Sequence, residues 1–152
     1  MKQIETDICI IGGGSGGLSL AAGAVQVGAR VVLFEGGQMG GDCLNSGCVP
    51  SKALLAAAKA AYLANGNAAM GITNTPPNID FAAVKAHVAS VIAQIEPHDS
   101  IARFEALGVT VIPEMAHFTG PRAVSSATHQ VRAKYIVIAS GSQPMLPPIP
   151  GL

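Results

Sequence analysis

Gly12-x-Gly14-x-x-Gly17, set between a short apolar run and an alanine-rich stretch, constrains this chain more than any other feature. The run before it, residues 5–11, is β-rich and predicts a buried parallel strand. Residues 15–27 carry Leu18, Leu20, Ala21, Ala22, Ala24 and Val25 and end at Gly28, which predicts a helix closed by a glycine. Residues 30–35, Arg-Val-Val-Leu-Phe-Glu, predict a second strand. Strand, glycine turn, helix and strand make one βαβ unit. Within it, Gly12 permits the tight turn, Gly14 lets the backbone approach a pyrophosphate, and Gly17 lets helix and strand pack closely. The helix, opening at Ser15, then turns free N–H groups toward a phosphate. Glu35, ending the second strand, is placed to accept hydrogen bonds from the ribose hydroxyls of an adenosine and disfavours a 2′-phosphate. The pattern predicts dinucleotide binding and does not separate FAD from NAD.

Cys43-Leu44-Asn45-Ser46-Gly47-Cys48 follows directly. Three chemistries compete for two cysteines at this spacing. A zinc site needs further ligands close by, and His87, His98, His117 and His129 form no partner set with short spacing. A structural disulfide is disfavoured in a reducing compartment. A redox-active pair is favoured, because the segment follows the nucleotide unit and leads into a helix, whose dipole stabilises a thiolate at its N-terminus. Lys52, one turn past Cys48, supports an anion or contacts a cofactor ring. Cys9 lies in the first apolar run and reads as a small core residue.

Further along, residues 51–64 predict a helix and residues 65–77 a loop. Asp80 is a good N-cap for a long helix with Phe81, Val84, Val88, Val91, Ile92 and Ile95 at spacings of three and four. Pro97 bends it and Gly108 ends it. Residues 109–112 predict a short strand, residues 114–134 a small antiparallel meander, and residues 135–139 a final buried strand. Residues 144–150 contain four prolines and read as a linker.

The 152 residues suffice for one domain with a core. Charged residues make up 12% and hydrophobic ones 49%, which marks a globular chain and not a disordered one. Net charge is zero, so nothing in the electrostatics supports nucleic-acid binding. A neutral chain this apolar is expected to be poorly soluble without partners or further chain. The opening residues carry no apolar run long enough for a signal peptide or membrane span, so the expected location is cytoplasmic, away from membranes.

Gly40-Gly41-Asp42-Cys43-Leu44-Asn45-Ser46-Gly47-Cys48-Val49-Pro50-Ser51-Lys52 resembles the active-site signature of the class I pyridine nucleotide-disulfide oxidoreductases, the flavoenzymes that include dihydrolipoamide dehydrogenase, glutathione reductase and mercuric reductase. The segment 135–144, with Ser140-Gly141-Ser142, resembles the second FAD motif of that family, where Ala-Thr-Gly is usual and Ser140 here keeps the hydroxyl. The resemblance spans essentially the whole sequence. It implies an α/β, Rossmann-like FAD-binding domain: a parallel sheet with helices plus a small antiparallel β-meander, incomplete relative to the family. That domain would cover residues 1–143, and residues 144–152 would link it to an NAD(P) domain beyond this sequence.

The resemblance implies FAD as the cofactor, with NAD(P)H acting only through that further domain. Gly12, Gly14, Ser15 and Gly17 would cradle the pyrophosphate and Glu35 the ribose. Gly41 and Asp42 would lie near the phosphates, where many members have Thr in place of Asp42. Lys52 would sit beside the flavin, Ala116 would meet the adenine through its backbone, and Ser140, Gly141 and Ser142 would line the cleft. Cys43 would be the thiol that exchanges with the disulfide or dithiol substrate, and Cys48 the thiol against the isoalloxazine. In members of the family electrons pass from nicotinamide to flavin, to the disulfide and on to substrate, or in reverse in dihydrolipoamide dehydrogenases. The resemblance further implies that this chain is an N-terminal fragment of a longer, homodimeric parent, with an unpaired sheet edge where a later strand belongs. A dihydrolipoamide dehydrogenase-like parent is favoured, with a mercuric reductase-like flavoenzyme or a non-catalytic FAD-binding remnant as alternatives.

Overall fold

The computed structural model describes residues 1–142 and 145–151. Gln143 and Pro144, where the expected domain boundary falls, and Leu152 lie outside the described residues. Alternation of apolar side chains builds the centre of the fold. In β1 (Lys2–Ile11) and β2 (Val31–Phe34) successive side chains point to opposite faces of one parallel sheet. Ile10, Val31 and Leu33 therefore join Leu18, Ala21 and Ala24 of α1 (Ser15–Gln26) and Phe104 of α5 (Ile101–Ala106) in one core. Cys9, Val32 and Phe34 join Ile112, Val124, Val131 and Ala133 in a second core on the other face. Burial of Phe34 or Phe104, each 1% exposed, contributes about 1.5–3 kcal/mol.

The main sheet has the order β5-β2-β1-β8-β7-β6. Its parallel part comprises β5 (Val109–Ile112), β2, β1 and β8 (His129–Ile138). β6 (His117–Gly120) and β7 (Ala123–Ser125) add antiparallel strands beyond β8. Between β2 and β5 the chain forms α2 (Gly41–Asn45), α3 (Cys48–Ala64), a small hairpin of β3 (Gly66–Asn67) and β4 (Ile72–Thr73), and α4 (Phe81–Ile95). The helix N-cap at Asp80 is as expected: its carboxylate accepts from the N–H groups of Ala82 at 2.9 Å and Ala83 at 3.1 Å. The expected single helix to Gly108 is corrected: α4 ends at Ile95, Pro97 sits in a 3-10 turn over Glu96–Asp99, Ser100 is extended, and the separate α5 precedes Gly108.

Other expectations are corrected as well. α2 was not foreseen, and α3 starts at Cys48 rather than at residue 51, because Pro50 is tolerated in a first helical turn. The hairpin β3–β4 lies within the expected loop. The meander and the final strand are not separate, because β8 runs unbroken through both. Its first half pairs with β7 on one edge while its whole length pairs with β1 on the other. The second half is not buried: Tyr135 is 70% and Ile138 67% exposed, since β7 pairing ends at Arg132 and no strand among the described residues continues it.

Polar ties fix the sheet ends. Asp7 accepts from Arg30 N at 3.0 Å, Arg30 Nε at 3.2 Å and Lys134 Nζ at 2.8 Å, which joins β1, the entry to β2, and β8. The Arg30 contact and then the Lys134 ammonium hold the Asp7 carboxyl well below the usual carboxylate range. At the β7–β8 turn, Glu114 accepts from Thr128 N at 3.1 Å and from Thr128 Oγ1. Ser126, then Thr128, lower the Glu114 pKa from 4.5 to about 2. A depressed folded-state pKa means that this contribution is complete above pH 4.5 and is lost as pH falls toward 2. Glu114→Gln is therefore expected to flatten the fall of the melting temperature across that acid window. An unchanged acid limb of the pH–melting curve would contradict this assignment.

Candidate active site at the carboxyl ends of the parallel strands

β1 and β8 end side by side, and the chain leaves each strand through glycine or serine. Gly12 has φ +113°, a conformation that side chains rarely adopt, and a Cβ there would stand 2.2 Å from the Ala139 carbonyl oxygen. A Cβ on Gly17 would stand 1.9 Å from the Gly12 carbonyl oxygen. These two glycines let β1, α1 and the end of β8 meet at backbone distance, as their sequence spacing predicts.

A third close approach brings in the dithiol segment. Gly40 N–H donates to the Gly13 carbonyl at 2.9 Å, and a Cβ on Gly41, φ +58°, would stand 2.7 Å from Gly14 Cα. The segment before Cys43 thus lies directly on the glycine turn. Within it, Asn45 Nδ2 donates to the carbonyls of Met39 at 3.1 Å and Gly41 at 2.8 Å. Ser46 N and Gly47 N both donate to the Asp42 carbonyl, at 3.0 and 2.6 Å. The chain reverses there and starts α3 at Cys48.

The result is an open cleft of about 780 Å³, within the range of small-molecule and cofactor sites. Gly12, Gly14, Ser15, Glu35, Gly41, Asp42, Cys43, Cys48, Ser140, Gly141 and Ser142 line it, all of them named from sequence. Gly17 shapes it from beneath. Lys52 and Ala116 are not part of its wall. Lys52 is exposed on α3, and Ala116 packs against the core of Cys9 and Phe34. Gly16, Gln38, Asn45, Ser46 and Ala139 also line it and were not foreseen as site residues. Asn45 and Ser46 lie between the two cysteines, so their position alone was the available signal.

Electrostatics divide the cleft in two. No side chain caps α1, so its first N–H groups face open space beside Gly14 and Gly16, where a Cβ would meet nothing within 4 Å on Gly16. Glu35 is held by Gly13 N–H and Gly37 N–H, both at 2.6 Å. Each carboxylate oxygen keeps further acceptor capacity. Cys43 is half-buried and Cys48 exposed, and both are free thiols. The Cys48 thiol beside Cys43 raises the Cys43 pKa, with burial adding to it and the Lys52 charge opposing it. Burial pushes the Cys9 thiol, in the core, up to about 11. Among the described residues no group of three His, Cys, Asp or Glu is placed to hold a metal ion, and no helix is long and apolar enough to cross a membrane.

Known proteins are similar to this chain in sequence and in fold. A mercuric reductase from Bacillus cereus is 33% identical over 148 residues, 97% of this chain and 24% of its own length. The chloroplastic dihydrolipoyl dehydrogenase 2 of Arabidopsis thaliana is 34% identical over 149 residues, 96% of this chain and 26% of its own. The solved structure of the HOCl-induced flavoprotein disulfide reductase RclA from Escherichia coli, as its Cu(II) complex, superposes with a TM-score of 0.76 at 26% identity, covering 95% of this chain and 30% of that one. The chain spans about a quarter to a third of the length of these relatives. The pyridine nucleotide-disulphide oxidoreductase family matches residues 6–152, and the chain belongs to that family.

Proposed function

We propose that this chain forms the FAD-binding, dithiol-bearing part of a flavoprotein disulfide oxidoreductase. The observation that carries the proposal is that Cys43 and Cys48 stand together in the same cleft wall as the uncapped N-terminus of α1 and the Glu35 carboxylate. A dinucleotide fits these residues. The open N–H groups at Ser15 and Gly16 suit a pyrophosphate, and Glu35 suits vicinal ribose hydroxyls. Bound FAD supplies two-electron redox chemistry next to sulfur.

The residues of the chain then have distinct parts. Gly12, Gly14 and Gly17 keep the backbone low enough for a phosphate to approach. Ser140, Gly141 and Ser142 close the cleft from the β8 side. Gly41 brings the dithiol segment onto the glycine turn and begins α2, and Asp42 lies in the first turn of that helix. Cys48 opens α3, a 17-residue helix, and is assigned as the thiol that lies against the flavin. Cys43 exchanges with a disulfide or dithiol substrate. Lys52, on the same helix, adds a positive charge that stabilises a Cys43 thiolate. Ala116 is assigned to the adenine end through its backbone. Nicotinamide chemistry, the substrate pocket and homodimer contacts are assigned to the parent beyond this segment, at a cytoplasmic location. The similarity to dihydrolipoyl dehydrogenases and to mercuric reductases alike supports a shared electron path through the dithiol.

Adding FAD to the purified chain is expected to give a yellow, stoichiometric complex. Reducing the Cys43–Cys48 disulfide with dithiothreitol is expected to bring up a long-wavelength band from the Cys48 thiolate against the flavin. FAD bound without that band, or no FAD bound, favours a non-catalytic remnant instead.

A further inference from the structure

A side-chain bond spans the dithiol segment at the wall of the cleft. Ser46 Oγ donates to Asp42 Oδ1, one helical turn back along α2. The same two residues are also joined through the backbone, Ser46 N to the Asp42 carbonyl at 3.0 Å. Gly47 N–H reaches that same carbonyl at 2.6 Å, and a Cβ on Gly47 would come within 2.9 Å of it. Asp42 directly precedes Cys43, and Ser46 stands two residues before Cys48. The bond therefore spans the reversal that returns the chain from one sulfur to the other. Both side chains are exposed, so the bond adds nothing to the buried core.

We propose that the Asp42–Ser46 bond is a positioning device that holds Cys43 and Cys48 in bonding register and so sets how strongly the pair favours its disulfide. The proposal rests on the reading of these cysteines as a redox pair. The physical argument is one of entropy. Forming the disulfide fixes the reversal at Ser46 and Gly47, and a reversal already fixed by a bond in the dithiol state costs less to close. The reaction with a small-molecule disulfide is balanced: Cys43–SH and Cys48–SH lose two protons and two electrons to form one S–S bond. Glutathione disulfide breaks its own S–S bond and takes up both, giving two glutathione thiols. The equilibrium constant is the effective concentration of one thiol at the other.

The test uses the 152-residue chain equilibrated in glutathione redox buffers, quenched with acid and scored by alkylation and mass. Ser46→Ala and Asp42→Ala are each expected to lower the effective concentration about fivefold, a shift of about 20 mV in the couple. Ser46→Thr keeps the hydroxyl and is expected to stay within twofold of the unmodified chain. The double variant Asp42→Ala/Ser46→Ala is expected to be no worse than either single one, because both remove the same bond. A role confined to fold stability would move the melting temperature and leave the effective concentration alone. Equal constants in all variants, or strictly additive losses in the double variant, would overturn the positioning role while leaving the redox pair intact. An unmodified chain that forms no Cys43–Cys48 disulfide in these buffers overturns the redox pair and this proposal together.

Discussion

Gly17→Ala is expected to destabilise the chain by at least about 3 kcal/mol and to abolish FAD binding. The added Cβ would stand 1.9 Å from the Gly12 carbonyl oxygen, 3.0 Å from its carbon and 3.3 Å from Ile10 Cγ2. Two of these three neighbours are backbone atoms of the turn, so no rotamer change relieves the clash. α1 has to lift away from β1, and it takes Leu18, Ala21 and Ala24 out of the core with it. The same movement displaces the N–H groups at Ser15 and Gly16 from the proposed phosphate site. Thermal melting should fall by about 10 °C. Gly23→Ala, later in the same helix and with nothing within 4 Å of its Cβ, should instead stabilise the chain by about 0.5–1 kcal/mol through helix propensity. Equal melting temperatures for the two variants would show that the turn is not as tightly packed as described.

Cys48→Ala is expected to have two opposite effects. Intramolecular disulfide formation is lost entirely, because Cys9 is buried and Cys43 has no other free thiol beside it. Yet Cys43 should become easier to alkylate at a given pH. Its pKa is raised chiefly by the Cys48 thiol. Removing that neighbour returns the titration toward the ordinary value of 9.0, and Lys52 continues to favour the anion. The pH profile of Cys43 alkylation, read by mass, should therefore move to lower pH. Cys9 serves as the unreactive reference. A profile that stays put or moves up means that the two sulfurs do not influence one another.

Legibility in the sequence followed the range of the forces involved. The glycine turn was readable because each glycine answers a local steric demand, and Gly12 and Gly17 meet that demand within a few residues of chain. Glu35 was readable for the same reason, from its place at the end of an apolar run. The dithiol pair was readable as chemistry but not as geometry. α2 exists because Gly40 and Gly41 rest on Gly13 and Gly14, a contact between segments that no local propensity encodes. The apolar stripe of α4 was also visible, and Val84, Val88, Val91, Ile92 and Ile95 are its half-buried positions. Periodicity says that such a face exists and is silent about how much of it is covered; α4 has no fully buried residue. The sequence divides β8 in two, because its residues change from one-sided to two-sided hydrophobicity halfway along, where its β7 neighbour stops.

The union of β1 and β8 has a consequence for how the site comes into being. Its two walls, around Gly14 and around Gly141, are encoded near opposite ends of the sequence and become adjacent only when Ala139 N–H reaches the Ile11 carbonyl at 2.8 Å. A nascent chain that has released only its first βαβ unit from the ribosome holds half a cradle. On the proposed function, cofactor capture therefore has to wait until β8 has docked on β1, and flavin retention reports that pairing.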